Sequence, residues 1–115
     1  MIIAIPTNDR EKIEKRSGPA NEFSFFNIND IENPIFVENP HSSHDHETDG
    51  HKHSHSSMIE MLKTNNTSTI IVDVIGKNFI KDLKNENFTI YKTELKNLKE
   101  IALKFKEDKG AFDEL

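Results

Sequence analysis

The sequence predicts an α/β domain: a five-stranded mixed sheet in a three-layer α/β/α sandwich. Two observations carry this. β-branched and aromatic runs recur along the chain (IIAI, EFSFFNIN, IFVEN, TIIVDVI, FTIY), and helical apolar periodicities alternate with the later ones. Two hairpin-joined strands beside a first strand, then alternating helices and strands, require right-handed crossovers that lay helices over the sheet. At 115 residues the chain suits a single domain, 1–115, with one hydrophobic core.

Ile2 to Ile5 is a short apolar run that Pro6 is expected to end. Thr7 to Asn21 is polar, broken by Ser17-Gly18-Pro19, and reads as a long loop. Glu22 to Asn29 forms a second strand, and the turn signal Asp30–Pro34 leads to a third at IFVEN, making an antiparallel hairpin. Ser57 and Glu60 have capping-box spacing, and Met58, Ile59, Met61 and Leu62 share a helical face. TIIVDVIG is the strongest strand signal. A helix from about Lys77 to Glu86 buries Phe79, Ile80 and Leu83, and Phe88–Tyr91 is the fifth strand. Glu94–Lys106, with Thr93 as cap, carries the stripe Leu95, Leu98, Ile101, Ala102 and Phe105.

Charge excludes some functions. Fifteen basic and twenty acidic residues give −5, without a basic block that could neutralise phosphates, so nucleic acid is not an expected partner. The chain has no cysteine, so neither a disulfide nor a thiolate metal site can form. MIIAIPTNDR is too short an apolar opening for a signal or membrane segment, and a cytoplasmic location without membrane contact is expected.

All six histidines fall within NPHSSHDHETDGHKHSHSS, residues 39–57. The segment from about 40 to 56 has almost no apolar content, so it is expected to stay mobile without a ligand. His51, His53 and His55 alternate, and in an extended chain they project to one side ~6–7 Å apart. His44 and His46 offer a second pair, and Asp45, Glu47 and Asp49 add carboxylates. An imidazole-rich, thiolate-free set favours Zn(II), Ni(II), Co(II) or Cu(II) over Cu(I). Ligation requires neutral imidazole, so affinity should fall below pH ~6. The bland alternative is a polar insertion whose histidines chelate without purpose. His41 stands apart because it ends the strand-terminal VENPH, where the backbone is expected to be fixed.

Several stretches together resemble one family. MIIAIPTND opens on a strand running into Pro6; SGPANEFSFFNI leads a glycine loop into an aromatic strand; Val37-Glu38-Asn39-Pro40-His41 ends the next. Ile75-Gly76-Lys77-Asn78 closes the hydrophobic strand. The set is similar to the dinitrogenase iron–molybdenum cofactor biosynthesis family, the NifX-like domains also found at the carboxyl end of NifB, over nearly the whole chain. The resemblance implies a ribonuclease-H-like α/β/α fold without catalysis, and carriage of an iron–sulfur or iron–molybdenum cluster precursor toward a protein acceptor. Where relatives carry His-Phe-Gly-Arg this chain reads Arg16-Ser17-Gly18-Pro19, and in place of a Gly-Gly pair it reads Tyr91-Lys92-Thr93-Glu94.

The expected cofactor-binding rim is therefore Gly18, Asn39, His41, Gly76 and Asn78, and the expected metal ligands are His41, His44, His46, His51, His53 and His55. Gly76-Lys77-Asn78 at a strand-to-helix junction could present N–H groups to an anion, although a tight turn is the plainer explanation. Asp73 within a strand could suggest a nuclease carboxylate, but IIAI supplies no acidic partner on the first strand, so no catalytic residue is expected. The expected function is a non-catalytic metal or cluster carrier. The alternative is a small interaction or regulatory module whose loop only buffers divalent metal.

Overall fold

The computed structural model describes residues 1–40 and 56–115. Its elements are β1 (Ile2–Thr7), β2 (Glu22–Asn27), β3 (Asp30–Glu38), α1 (Ser56–Thr64), β4 (Thr69–Val72), α2 (Lys77–Asn85), β5 (Thr89–Lys92), α3 (Leu98–Glu107) and β6 (Asp113–Glu114). The strands form one mixed sheet in the order β3-β2-β1-β4-β5-β6. β1, β4 and β5 are mutually parallel; the β1–β2, β2–β3 and β5–β6 pairs are antiparallel.

Six strands stand where five were expected. The extra one, β6, is two exposed polar residues without periodicity, and its pairing with Tyr91 and Lys92 alone makes it a strand. β1 runs through Pro6 to Thr7 rather than ending before it. Pro6 O accepts from Glu14 N at 2.8 Å, so the backbone groups of Pro6 point away from β2 and the ladder needs no N–H there. The hairpin turn is Ile28-Asn29, closed by the Asn27–Asp30 pair, and Asp30–Pro34 is strand rather than turn. Pro34 is tolerated because β3 is an edge strand.

Two helix starts also differ from expectation. α1 begins at Ser56, so Ser57 lies inside its first turn and does not cap it. α3 begins at Leu98, not Glu94, and its cap is Asn97, whose Oδ1 accepts from Glu100 N at 3.0 Å. The cause is tertiary. Lys96 O accepts from Ile13 N at 2.8 Å and Leu98 N donates to Glu11 O at 2.9 Å, which holds residues 94–97 extended against the loop after β1. Leu95 is left exposed.

Alternating side chains of the strands feed both faces. Ala4, Phe23, Phe25, Ile70, Val72 and Ile90 pack with Met58, Ile59 and Leu62 of α1 and Phe79 and Leu83 of α2. Ile3, Ile5, Phe26, Ile71 and Tyr91 pack with Leu98, Ile101, Ala102 and Phe105 of α3. The expected single core is thus divided by the sheet, because residues i and i+1 of a strand point to opposite sides.

The long loop from Asn8 to Asn21 is pinned rather than free. Asp9 Oδ1 accepts from Glu11 N and Lys12 N at 2.9 and 2.8 Å. Arg10, in the left-handed region at φ 66, forks onto Glu22 at 2.9 and 2.8 Å and lies 5.0 Å above the Phe36 ring. The Arg10 hydrogen bond holds the Glu22 carboxyl below its ordinary value of 4.5, and the Lys12 and Glu11 amides lower that of Asp9. A depressed carboxylate contributes stability that is full above its unfolded pKa and is lost as pH falls through the folded one. The urea midpoint should therefore drop between about pH 6 and about pH 3, and Glu22→Gln should reduce that drop. An identical pH profile for Glu22→Gln would remove the pair from the account.

Candidate functional site

The carboxyl ends of β1 and β4 are where a ligand cleft is expected in a sheet of this kind, beside the point where chain direction diverges. There the backbone of β4 continues through Val74 and Ile75 into α2, and the loop after β1 comes alongside it. Val74 N donates to Lys15 O at 2.9 Å, and Val74 O accepts from both Ser17 N and Ser17 Oγ at 3.2 Å. Arg16 and Val74 form a parallel bridge. These ties join two segments remote in sequence into the walls of one open cleft of ≈ 700 Å³. Arg16, Ser17, Gly18 and Pro19 line one wall, and Val74 to Phe79 the other.

Three of the expected rim residues, Gly18, Gly76 and Asn78, meet in this cleft. Neither glycine has a positive φ, and a Cβ built on either would meet nothing within 4 Å. Folding demands glycine at neither place. Gly76 is the N-cap of α2 in extended conformation (φ −75, ψ 156), and no side chain caps the helix there. The first turn of α2 therefore begins at the cleft, as the junction suggested.

Asn39 acts from behind. It is completely buried, and its Nδ2 donates to Gly18 O at 3.1 Å and to Ala20 O at 2.8 Å. Its own N–H donates to Asn21 O at 2.9 Å. Asn39 therefore positions the glycine loop and does not itself face solvent. Nothing in the sequence distinguished this role from a ligand-facing one. The six histidines, His41, His44, His46, His51, His53 and His55, lie outside the described residues, which stop at Pro40 and resume at Ser56.

Sequence reasoning assigned no side-chain role to two cations here, and it placed one carboxylate within a strand. Arg16 and Lys77 line the cleft as its two cations among the described residues; Arg16 was read as part of a loop, and Lys77 as the start of a helix whose junction could meet an anion through backbone N–H groups. Asp73 follows β4 rather than lying within it, and two lysines clasp it. Lys96 Nζ is 3.0 Å from Oδ2, and Lys92 Nζ is 3.7 Å from Oδ1 and donates to Asp73 O at 2.8 Å. Among the described residues no three His, Asp or Glu side chains converge as a metal site. Two other hollows, ≈ 260 and ≈ 450 Å³, contain none of the expected site residues. No helix among the described residues is long and apolar enough to cross a membrane.

The described residues thus form a mixed α/β domain with an open cleft, lined in part by two glycines, at the ends of its parallel strands. The chain belongs to the dinitrogenase iron-molybdenum cofactor family, whose sequence model matches residues 1–108. Its fold is shared by a candidate NifB protein from Thermotoga, assigned to the DUF35 family, at TM-score 0.72 and 20% identity. That match covers 99% of this chain and 92% of the other. A candidate dinitrogenase from Methanocaldococcus jannaschii aligns at TM-score 0.70 and 16% identity, covering 100% of this chain and 94% of the other. At such identities the likeness shows the fold alone. No curated protein matches the chain.

Proposed function

We propose that the chain is a non-catalytic carrier that takes up a metal ion or a metal-cluster precursor, of iron–sulfur or iron–molybdenum type, and passes it to an acceptor protein. In this reading the helices flanking the sheet are the outer layers of a three-layer α/β/α sandwich of ribonuclease-H-like type. The cleft is the seat of the cargo, with Gly18, Gly76 and Asn78 as its rim. One observation carries the reading: Asn39 ties the glycine loop to the end of β3 two residues before His41. The described fold thus breaks off at Pro40, one residue beyond this tie to the cleft wall, and the six histidines follow in sequence as the ligands this reading assigns to the cargo. The chain has no cysteine, and the cleft is lined by no carboxylate among the described residues, so this reading assigns metal to the imidazoles of the histidine segment with Asp45, Glu47 and Asp49 beside them. Glycines that folding does not require leave room for close backbone approach to a bulky cargo.

Titration of the full chain with Zn(II), Ni(II) and Co(II), repeated on a variant lacking residues 42–56, is the direct test. The full chain should bind, binding should fall steeply below about pH 6 as imidazoles protonate, and the deletion should abolish most of it. Equal affinity with and without residues 42–56 would end the metal-ligand reading. Anaerobic incubation with an iron–sulfur donor separates cargo types, since failure to acquire iron would leave divalent metal alone as cargo. The second reading, an interaction module that buffers metal, is favoured by the arginine-bearing Arg16-Ser17-Gly18-Pro19 loop in place of the family's histidine element. It expects metal binding by the segment without any involvement of the cleft.

A further inference from the structure

The charge around the cleft is the reverse of the charge of the chain. The sequence carries −5, yet among the described residues the cleft is lined by Arg16 and Lys77 and by no Asp or Glu. Both cations are exposed, and among the described residues neither has an ion pair or a hydrogen-bond partner. Asp73, next to the lining residue Val74, is the neighbouring acid in sequence, and Lys92 and Lys96 already surround it. One carboxylate between two ammonium groups leaves that flank cationic as well. A concave surface lined by one sign of charge concentrates ions of the other. At ≈ 700 Å³ the cleft has the size of a small-molecule site and far exceeds what one small oxyanion fills.

We infer that the cleft is an anion site in which Arg16 and Lys77 hold a multiply charged anion larger than a single oxyanion, independently of metal on the histidine segment. The inference rests on the carrier reading for what the cleft serves, and it adds the charge class of the cargo. Arg16 supplies a planar fork of donors and Lys77 a point charge, so the pair suits an anion with several acceptor oxygens or sulfurs.

The test uses the metal-free full chain with pyrophosphate as the larger anion and sulfate as the small one, followed by backbone amide NMR. Saturable shifts are expected at Gly18, Gly76 and Lys77, larger in affinity for pyrophosphate than for sulfate and weakened by added salt. Arg16→Gln and Lys77→Gln should each weaken pyrophosphate binding about three- to tenfold, with thermal midpoints unchanged and Arg16→Lys retaining part of the affinity. Unmoved cleft amides, or equal affinity in the glutamine variants, overturn the inference. The two proposals fail separately. Pyrophosphate shifts without any metal or cluster uptake would leave the anion site and remove the carrier. Metal uptake with silent cleft amides would leave the carrier and remove the anion site.

Discussion

Phe23→Ala and Phe26→Ala should each destabilise the protein by about 3–5 kcal/mol, a large share of the ~5–15 kcal/mol that holds a domain of this size together. Both side chains are almost fully buried (0% and 2% exposed), yet they enter different cores. Phe23 packs with α1 and α2, and Phe26 packs with Ile71, Ile101 and Phe105 on the other face. Removing either ring loses its transfer free energy and leaves a cavity that rigid neighbours fill only partly. Urea unfolding measures both. The pairing matters more than either value, because a sheet with one solvent-facing side would place one of these residues where substitution costs within about ±0.5 kcal/mol. A near-neutral Phe26→Ala would contradict a core beneath α3.

Replacing Asn39 should cost about 2–3 kcal/mol as alanine, because the buried Ala20 O and the partly buried Gly18 O lose their donor together. Asn39→Asp is expected to be worse at neutral pH. A carboxylate accepts and cannot donate, so it would face two carbonyl oxygens in a buried place. That carboxyl would be raised in the folded state, since burial and the facing oxygens disfavour its charged form. Folded protein would then bind more protons than unfolded, so stability should recover as pH falls through the raised value. Urea midpoints against pH distinguish the two variants: a flat offset for alanine, and partial recovery in acid for aspartate. Aspartate and alanine profiles that run parallel would show that the side-chain amide is not the tie it looks to be. The same variants loosen the Gly18 wall, so they should also weaken whatever the cleft binds.

Much of this protein was legible from local pattern. Among the described residues, the alternation of apolar runs located five of the six strands and the three α-helices, because periodicity is a property of neighbouring residues. Three of the departures share one cause. Pro6 stays in a strand because Glu14 meets its carbonyl, Leu95 stays outside a helix because Ile13 and Glu11 bond residues 96 and 98, and β6 exists through its pairing with β5. Each is decided by a partner distant in sequence.

The candidate site divides in the same way. Residue type marked out the concentration of histidines and the absence of thiolates, and motifs in order marked out the family and, through it, Gly18, Gly76 and Asn78 as an expected rim. Only the tertiary structure could decide that the glycine loops share one cleft, that Asn39 braces it from within the core, and that Arg16 and Lys77 are its cations. Composition fixes which chemistry a chain has available. Which groups meet is set by backbone hydrogen bonds between segments, such as Ser17 to Val74, that local pattern does not encode.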